Sequence, residues 1–573
     1  MKISERVTRV FLAVIIILSL GISFGFEFSK QGFHEDELLT YNLANSSKKL
    51  NTSGWNTPED MLEYLVPTES NRFNYAQVYQ NQIIDASHPP FYYALVHTVC
   101  SFFPNLFSKW LAFSINVIAM AVSLILLYKI AGRVCGNYLY ALVAAGGYAL
   151  SIACFTTTIY LRMYATLTCF VLAFLCLTLW YYDKGKEAKL VHALPFLPVV
   201  TLGVLTQYYF ILFAGLTGLC FLIFKLREKQ IKQLIFYVAF CLVGAGLALA
   251  IYPYIISNVL GGNRGLGSLD LSIDPITIFT YFIYKIGTYI QILSKDLFIG
   301  LPAVWVGFTI VVLGFGAYFR FVKKRRLNRK AMFVIVPALV YFIGISLVSP
   351  FNSDRYVMAS LPLISMLYTF AFIRIFTHIM PENRLRNGVC MVLALIAPLA
   401  AFPRVTPYYI YGKTNLYEPV TDNCLFVGTA MLEWNKCIDK FMLYDGTMIV
   451  QTEKMSPTLA NELESFANSR GVITNGKISA FADAYMNNGD VDRPESESLR
   501  VVADDEKLKG LDEITVYISR LADRESVKAF LTNEAGFKHS ELICEDYSFE
   551  QFYNWYDYFV ETESYCNVYR FYR

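Results

Sequence analysis

The sequence predicts a polytopic α-helical membrane protein with a C-terminal α/β domain held outside the bilayer. Three observations carry that prediction. Mean hydropathy is +0.41, with 55% hydrophobic and only 17% charged residues, which does not describe a soluble chain of 573 residues. Apolar runs near the length needed to cross a bilayer, about 20 residues, recur up to residue 402 and then stop. Charge divides at the same place: residues 1–403 hold 32 Lys and Arg against 18 Asp and Glu, whereas residues 404–573 hold 17 against 28. The net charge of +3 therefore joins a basic membrane block, 1–403, to an acidic domain, 404–573. Disordered, collagenous, coiled-coil and small disulfide-stapled chains are excluded by this composition, and no nucleic-acid partner is expected.

The first apolar run, 10–26, follows Lys2, Arg6 and Arg9 and ends in Gly-Ile-Ser-Phe-Gly-Phe-Glu. Without a small-residue cleavage site it reads as a retained span rather than a leader. Further spans are expected at 108–130, 137–159, 163–182, 191–205, 208–224, 234–256, 297–318, 331–348, 356–373 and 388–402, about eleven in all. Basic short loops stay cytoplasmic, and this assignment puts 129–133, 184–189, 225–232, 323–330 and the Arg384/Arg386 pair on the side of the N-terminus. A plasma-membrane, multi-pass topology with a cytoplasmic N-terminus follows. Counting 91–103 as a span would reverse every later loop, so this run of about 13 residues is expected to lie along the outer surface. Parity likewise makes 275–293, interrupted by Lys285, an amphipathic surface helix. The outside then holds loops 27–107 and 257–296 and the tail from Arg404. In the tail, β-rich runs at 424–427, 441–444, 514–518 and 568–571 alternate with helix-like runs at 459–467 and 526–532.

The spans are nearly bare of ionisable groups, which transporters usually place near the midplane. Nine of the 18 acids of residues 1–403 lie instead between Glu27 and Asp85, which makes the outer face the working surface. His34-Glu35-Asp36-Glu37 falls about eight residues after the first span, at headgroup level. One reading is a solvated acidic cap on a helix through Leu38, Leu39 and Tyr41, because carboxylates suit a helix N-terminus. The other is a general base that takes a proton from an acceptor hydroxyl as it attacks an activated carbon on a lipid carrier. A second element is Ser87-His88-Pro89-Pro90-Phe91-Tyr92-Tyr93 with His97, taken alone a Pro-initiated interfacial helix.

The two elements together, in this order and about fifty residues apart, resemble the GT-C glycosyltransferases. The likeness is narrower to the family 39 group, which includes protein O-mannosyltransferases and the lipid A aminoarabinose transferase. Tyr160-Leu161-Arg162-Met163-Tyr164-Ala165, Thr206-Gln207-Tyr208-Tyr209-Phe210, Asp354-Arg355-Tyr356 and Leu361-Pro362-Leu363 extend the resemblance over about residues 1–380. It implies a GT-C fold and inverting transfer of a sugar from a polyprenyl-phosphate donor to a lipid, glycan or protein acceptor on the outer face, with membrane lipid as surroundings. By motif position Asp36 matches the family's catalytic carboxylate and Glu37 its neighbour. Family members often carry an acid one or two residues before the His of His-Pro-Pro. Here Asp85 lies three before and Ser87 immediately precedes, so the match does not extend to Asp85.

A phosphate leaving group needs charge compensation more than a proton. Arg162 and Arg355, at outer span ends, are therefore candidates to hold the lipid phosphate, or else snorkelling anchors; Arg264 and Lys285 are weaker candidates. His88, Tyr92, Tyr164 and Tyr208 complete the candidate substrate-binding set. No cofactor is required, although Asp36, Glu37 and His88 are a conceivable divalent-metal set. Cys424, Cys437, Cys544 and Cys566 allow two disulfides in any of three pairings, or stay as buried thiols. Two rival readings are a lipid-linked saccharide transporter or flippase, and a noncatalytic scaffold whose outer domain binds a partner.

Overall fold

The computed structural model describes residues 5–30, 32–261, 275–298, 300–324, 328–349, 353–379, 384–401, 419–428, 433–451, 502, 505–519, 522–548 and 565–573. Its helices run in chain order as α1 (Glu5–Ser29), then α2 (Glu35–Asn45), α3 (Pro58–Leu65), α4 (Tyr75–Asp85) and α5 (Phe91–Ser101) in the first loop, then α6 (Lys109–Cys135), α7 (Tyr138–Ala149), α8 (Ile152–Ile159) and α9 (Tyr164–Lys184). They continue as α10 (Phe196–Thr206), α11 (Tyr209–Arg227), α12 (Ile231–Ile251), α13 (Ile255–Gly261), α14 (Pro275–Leu297), α15 (Pro302–Ala317), α16 (Arg329–Val348), α17 (Leu361–Ile379) and α18 (Arg384–Ile396).

Among the described residues eight helices are long and apolar enough to cross a membrane, or nine if α7 and α8, bent by 57°, form one broken span. The bend has a local cause. Ser151 starts a new helix by accepting the Cys154 N–H at 3.3 Å while its hydroxyl donates to the Tyr148 carbonyl at 2.7 Å. The other two expected spans are shorter apolar helices, Leu190–Thr206 and Val392–Ala401. A Cβ at Gly146 of α7 would meet the end of the Leu395 side chain, so glycine there eases the close approach of α7 to the segment Val392–Ala401.

Helix α5 is the short helix expected at 91–103. Helix α14 also forms, and it is not among the helices that qualify as spans, but Lys285 departs from the expected polar face. It is 1% exposed and donates to the carbonyl and hydroxyl of Ser349 at the end of α16. A lysine on a packed face is tolerated here because its ammonium is hydrogen-bonded. Arg264 and the run 459–467 lie outside the described residues.

The basic loops gather at one end of the bundle. Asp183 pairs with Arg133 at 2.9 Å and Lys330 at 2.7 Å, and Glu228 pairs with Lys225 at 3.0 Å and Arg329 at 2.7 Å. Helix α9 runs from this end to Tyr164 at the other, roughly 30 Å away at 1.5 Å per residue.

The C-terminal region builds a six-stranded sheet in the order β1-β3-β2-β4-β6-β5. Its strands are β1 (Gly54–Asn56), β2 (Asn423–Gly428), β3 (Gly446–Gln451), β4 (Glu513–Ser519), β5 (His539–Ser548) and β6 (Tyr565–Tyr572). β2 is parallel to both β3 and β4, and the outer pairings are antiparallel. One face, with Leu425, Val427, Val516 and Ile518, packs under the helix Arg524–Asn533, and the other, with Phe426, Tyr517 and Val568, faces the segment 433–441. Strand alternation explains the split.

The strand expected at 441–444 is instead a helix end and turn. Phe441 and Tyr444 cover the sheet by packing on Tyr517, with a 3.0 Å contact between the two tyrosine hydroxyls, and the strand starts at Gly446. β5, which the apolar pattern did not mark, is an edge strand whose Glu541 and Glu545 are exposed.

β1 comes from the first loop, not from the tail. It pairs Trp55 with Met448, and the indole donates to Asp505 at 3.0 Å under the Lys507 ammonium, 4.0 Å from the ring. Tyr64 of α3 packs on Trp434 at 5.6 Å between ring centroids. The sheet domain is thus seated on the loop that carries the acidic cluster.

Candidate active site

Four chain junctions meet at the end of the bundle away from the basic loops. These are the α1–α2 link with Asp36, the α4–α5 link with Asp85 and His88, the α8–α9 break with Tyr160 and Arg162, and the turn Asp354–Tyr356 before α17 with Arg355.

The acidic cluster is a helix start, as one sequence reading expected. His34 accepts the Asp36 N–H on Nδ1 at 3.0 Å, and Glu37 accepts the His34 N–H at 2.8 Å, a reciprocal cap. With its Nδ1 lone pair so used, His34 is in this arrangement the neutral Nε2–H tautomer. The two acids then diverge in role. Glu37 is fully buried; its Oε1 accepts from Lys30 Nζ at 2.5 Å and from the Leu161 N–H at 2.8 Å, and Lys30 also donates to the Ile159 carbonyl at 3.0 Å. This buried pair ties the end of α1 to the α8–α9 break.

Asp36 keeps its side chain 13% exposed. Its Oδ2 accepts the Tyr160 hydroxyl at 2.7 Å and Arg355 Nη1. Its Oδ1 faces Arg162 Nη2 at 3.8 Å, too far for a hydrogen bond, and among the described residues accepts none. The carboxylate is therefore held through one oxygen and open at the other.

Arg162, only 2% exposed, lies behind Asp36. Its Nη1 donates to the Asp36 carbonyl at 3.0 Å and the Thr40 hydroxyl at 3.1 Å, and its Nη2 lies 3.2 Å from His88 Nε2. A guanidinium only donates, so Nε2 must accept. The imidazole proton then sits on Nδ1 and is donated to Asp85 Oδ2 at 2.8 Å. A chain Asp85–His88–Arg162–Asp36 results, which includes the acid that motif spacing had set aside. Asn116 of α6 fixes the break itself by donating to the Thr158 and Tyr160 carbonyls at 3.2 and 2.6 Å.

The remaining candidates are placed less directly. Tyr164 stacks on Tyr160 with ring centroids 5.8 Å apart and planes 8° from parallel. Tyr92 is buried, its hydroxyl 3.4 Å from Asn116 Oδ1 and pushed well above its ordinary pKa by burial. Tyr208 accepts from Asn258 at 3.1 Å. Asp36, Glu37 and His88 do not converge as a metal-binding set, because Glu37 is spent on Lys30 and the capping bonds while both His88 nitrogens are engaged. Tyr160 and Lys30 are the residues that sequence reasoning missed. Tyr160 stood in a quoted motif, whereas Lys30 had no signal beyond its nearness to the acids.

Residues 87–254, which contain His88, Tyr92, Arg162, Tyr164 and Tyr208, match the family described as dolichyl-phosphate-mannose-protein mannosyltransferase. The resemblance read from the motifs is thereby shown for this segment. In structure the chain is similar to ArnT from Cupriavidus metallidurans bound to undecaprenyl phosphate, at 10% identity and TM-score 0.43, covering 97% of each chain. It is also similar to the oligosaccharyltransferase AglB from Archaeoglobus fulgidus, in complex with an inhibitory peptide and a dolichol-phosphate, at 12% identity and TM-score 0.39, covering 88% of this chain and 69% of that one. Scores this low say nothing of substrate. A comparison with curated proteins found no match.

Proposed function

We propose that the protein is an integral membrane glycosyltransferase that moves a sugar from a polyprenyl-phosphate carrier to an acceptor hydroxyl on the outer face of the membrane, with inversion. The observation that carries this reading is the carboxylate of Asp36, anchored at Oδ2 by Tyr160 and Arg355 and left open at Oδ1. The acceptor O–H donates to Oδ1, and its oxygen attacks the anomeric carbon from the side opposite the phosphate. The bond from that carbon to the phosphate oxygen breaks, the proton passes to Asp36, and polyprenyl phosphate leaves with one more negative charge.

Arg355, half-buried beside the opening, is the cation placed to meet that charge. Arg162, with its donors committed to Asp36, Thr40 and His88, instead orients the base. The Asp85–His88 pair holds Arg162 in turn. Charge compensation fixed in advance is worth more in such a water-poor site than in bulk water.

The test supplies the purified full chain, in lipid nanodiscs with candidate acceptors, with a panel of polyprenyl-phosphate sugars and follows products by mass spectrometry. One donor is expected to yield glycosylated acceptor and free polyprenyl phosphate in equal amounts. Transbilayer movement of the intact donor, without its cleavage, would contradict the proposal and restore the flippase reading.

A further inference from the structure

The outer domain holds four thiols that the transfer reaction does not use. Cys424 meets the Thr447 hydroxyl at 3.1 Å, and Cys544 lies 3.7 Å from the Glu545 carbonyl. Cys437 and Cys566 face each other, Sγ to Sγ 4.0 Å apart, both buried and 129 positions apart in sequence. Cys437 ends the 3-10 turn Glu433–Cys437, which rests on α2, and Cys566 sits in β6 opposite Ser519 of β4.

We infer that Cys437 and Cys566 are joined as a disulfide in the mature protein. This inference rests on the outward placement of the C-terminal domain proposed above, because disulfides persist in oxidising compartments. The sulfurs already lie in near contact, and the bond requires them to close to about 2.05 Å. Cys437–Cys566 is the pair whose sulfurs meet, whereas Cys424 lies against the Thr447 hydroxyl, so the inference is a single bond with Cys424 left as a thiol.

The chemistry is thiol–disulfide exchange. One cysteine, as thiolate, attacks a disulfide-bearing oxidant and forms a mixed disulfide. The second thiolate displaces it, so the pair loses two protons and two electrons and the oxidant departs as a dithiol. Burial places this step during folding, before the segment 433–441 closes over the sheet. The bond would fasten the turn that supports α2, and with it Asp36, to a central strand of the sheet.

Membranes from cells expressing the full chain are to be lysed in N-ethylmaleimide, digested without reductant and mapped by mass spectrometry. A linked Cys437–Cys566 peptide is expected, with Cys424 alkylated. The same protein should melt roughly 5 °C or more lower in dithiothreitol, while a C437S/C566S variant should not respond to dithiothreitol. Alkylated Cys437 and Cys566 would overturn the inference. Protease added to right-side-out vesicles then separates two failures. A cleaved outer domain with free thiols refutes the disulfide alone, and a protected domain refutes the outward placement on which it rests.

Discussion

At the scale of single residues, the site divides two neighbouring carboxylates into unlike tasks. Glu37 is spent on structure, while Asp36 keeps one oxygen open, the one the proposed reaction uses. The Tyr160 hydroxyl donates to a carboxylate, a charge-assisted bond worth about 1.5–3 kcal/mol, so Tyr160→Phe should lower turnover roughly tenfold or more and lower the melting temperature by less than that loss would imply. A comparable loss of thermal stability would show that Tyr160 serves packing instead. His88 accepts from Arg162 and donates to Asp85, two bonds that Ala removes together. His88→Ala should therefore lower kcat more than it raises KM, and His88→Gln, which keeps an acceptor near Nε2, should recover part of the loss. Asp36, Glu37, His88, Arg162 and Arg355 were all legible in the sequence as types and positions. Their division of labour was not, because it depends on which lone pair each donor reaches. Lys30 and Asp85 show the same limit, since nothing in spacing indicates that a lysine just after a span is buried against an acid seven residues on.

At the scale of elements, the site is stable because helix ends are fastened to one another. Lys30 joins the end of α1 to Glu37 of α2 and to the Ile159 carbonyl of α8. Lys30→Met leaves the Glu37 charge buried without its partner and should cost about 3–5 kcal/mol. Adding Glu37→Leu should restore part of that stability, which thermal denaturation in nanodiscs would read. The α2–α5 contact carries a pH dependence. His97 is 1% exposed, donates from Nδ1 to Asn45 at 3.1 Å, and has its pKa lowered by burial. The unfolded chain takes up this proton below about pH 6.5 while the folded one resists, so the stability is present above that value and lost as pH falls through the lowered one. His97→Gln should flatten the acid limb of a melting-temperature profile; an unchanged slope would assign that limb to other groups. Hydropathy and loop charge made the long spans and α5 legible. The α7–α8 bend and the buried Lys285 were not, since a serine cap and a long-range carbonyl partner leave no periodic trace.

At the scale of the whole molecule, the bundle collects its basic loops at one end and the Asp36 cluster at the other, and seats the sheet domain on the loop that carries that cluster. β1 is the join. Trp55→Ala removes the indole bond to Asp505 and the Lys507 contact, and should open the interface to limited proteolysis while leaving the sheet folded; unaltered cleavage would show that β1 is incidental to docking. The division into membrane block and acidic domain was evident from charge alone, but the strand lent by the first loop was not, because three residues of Gly-Trp-Asn carry no strand signal. The measurement that bears most directly on the central claim is single-turnover sugar transfer by Asp36→Asn in nanodiscs, beside donor binding and melting temperature. The account predicts at least a hundredfold loss of transfer, roughly the contribution of a general base, with donor affinity and fold retained. Transfer within a fewfold of the unaltered protein would contradict it.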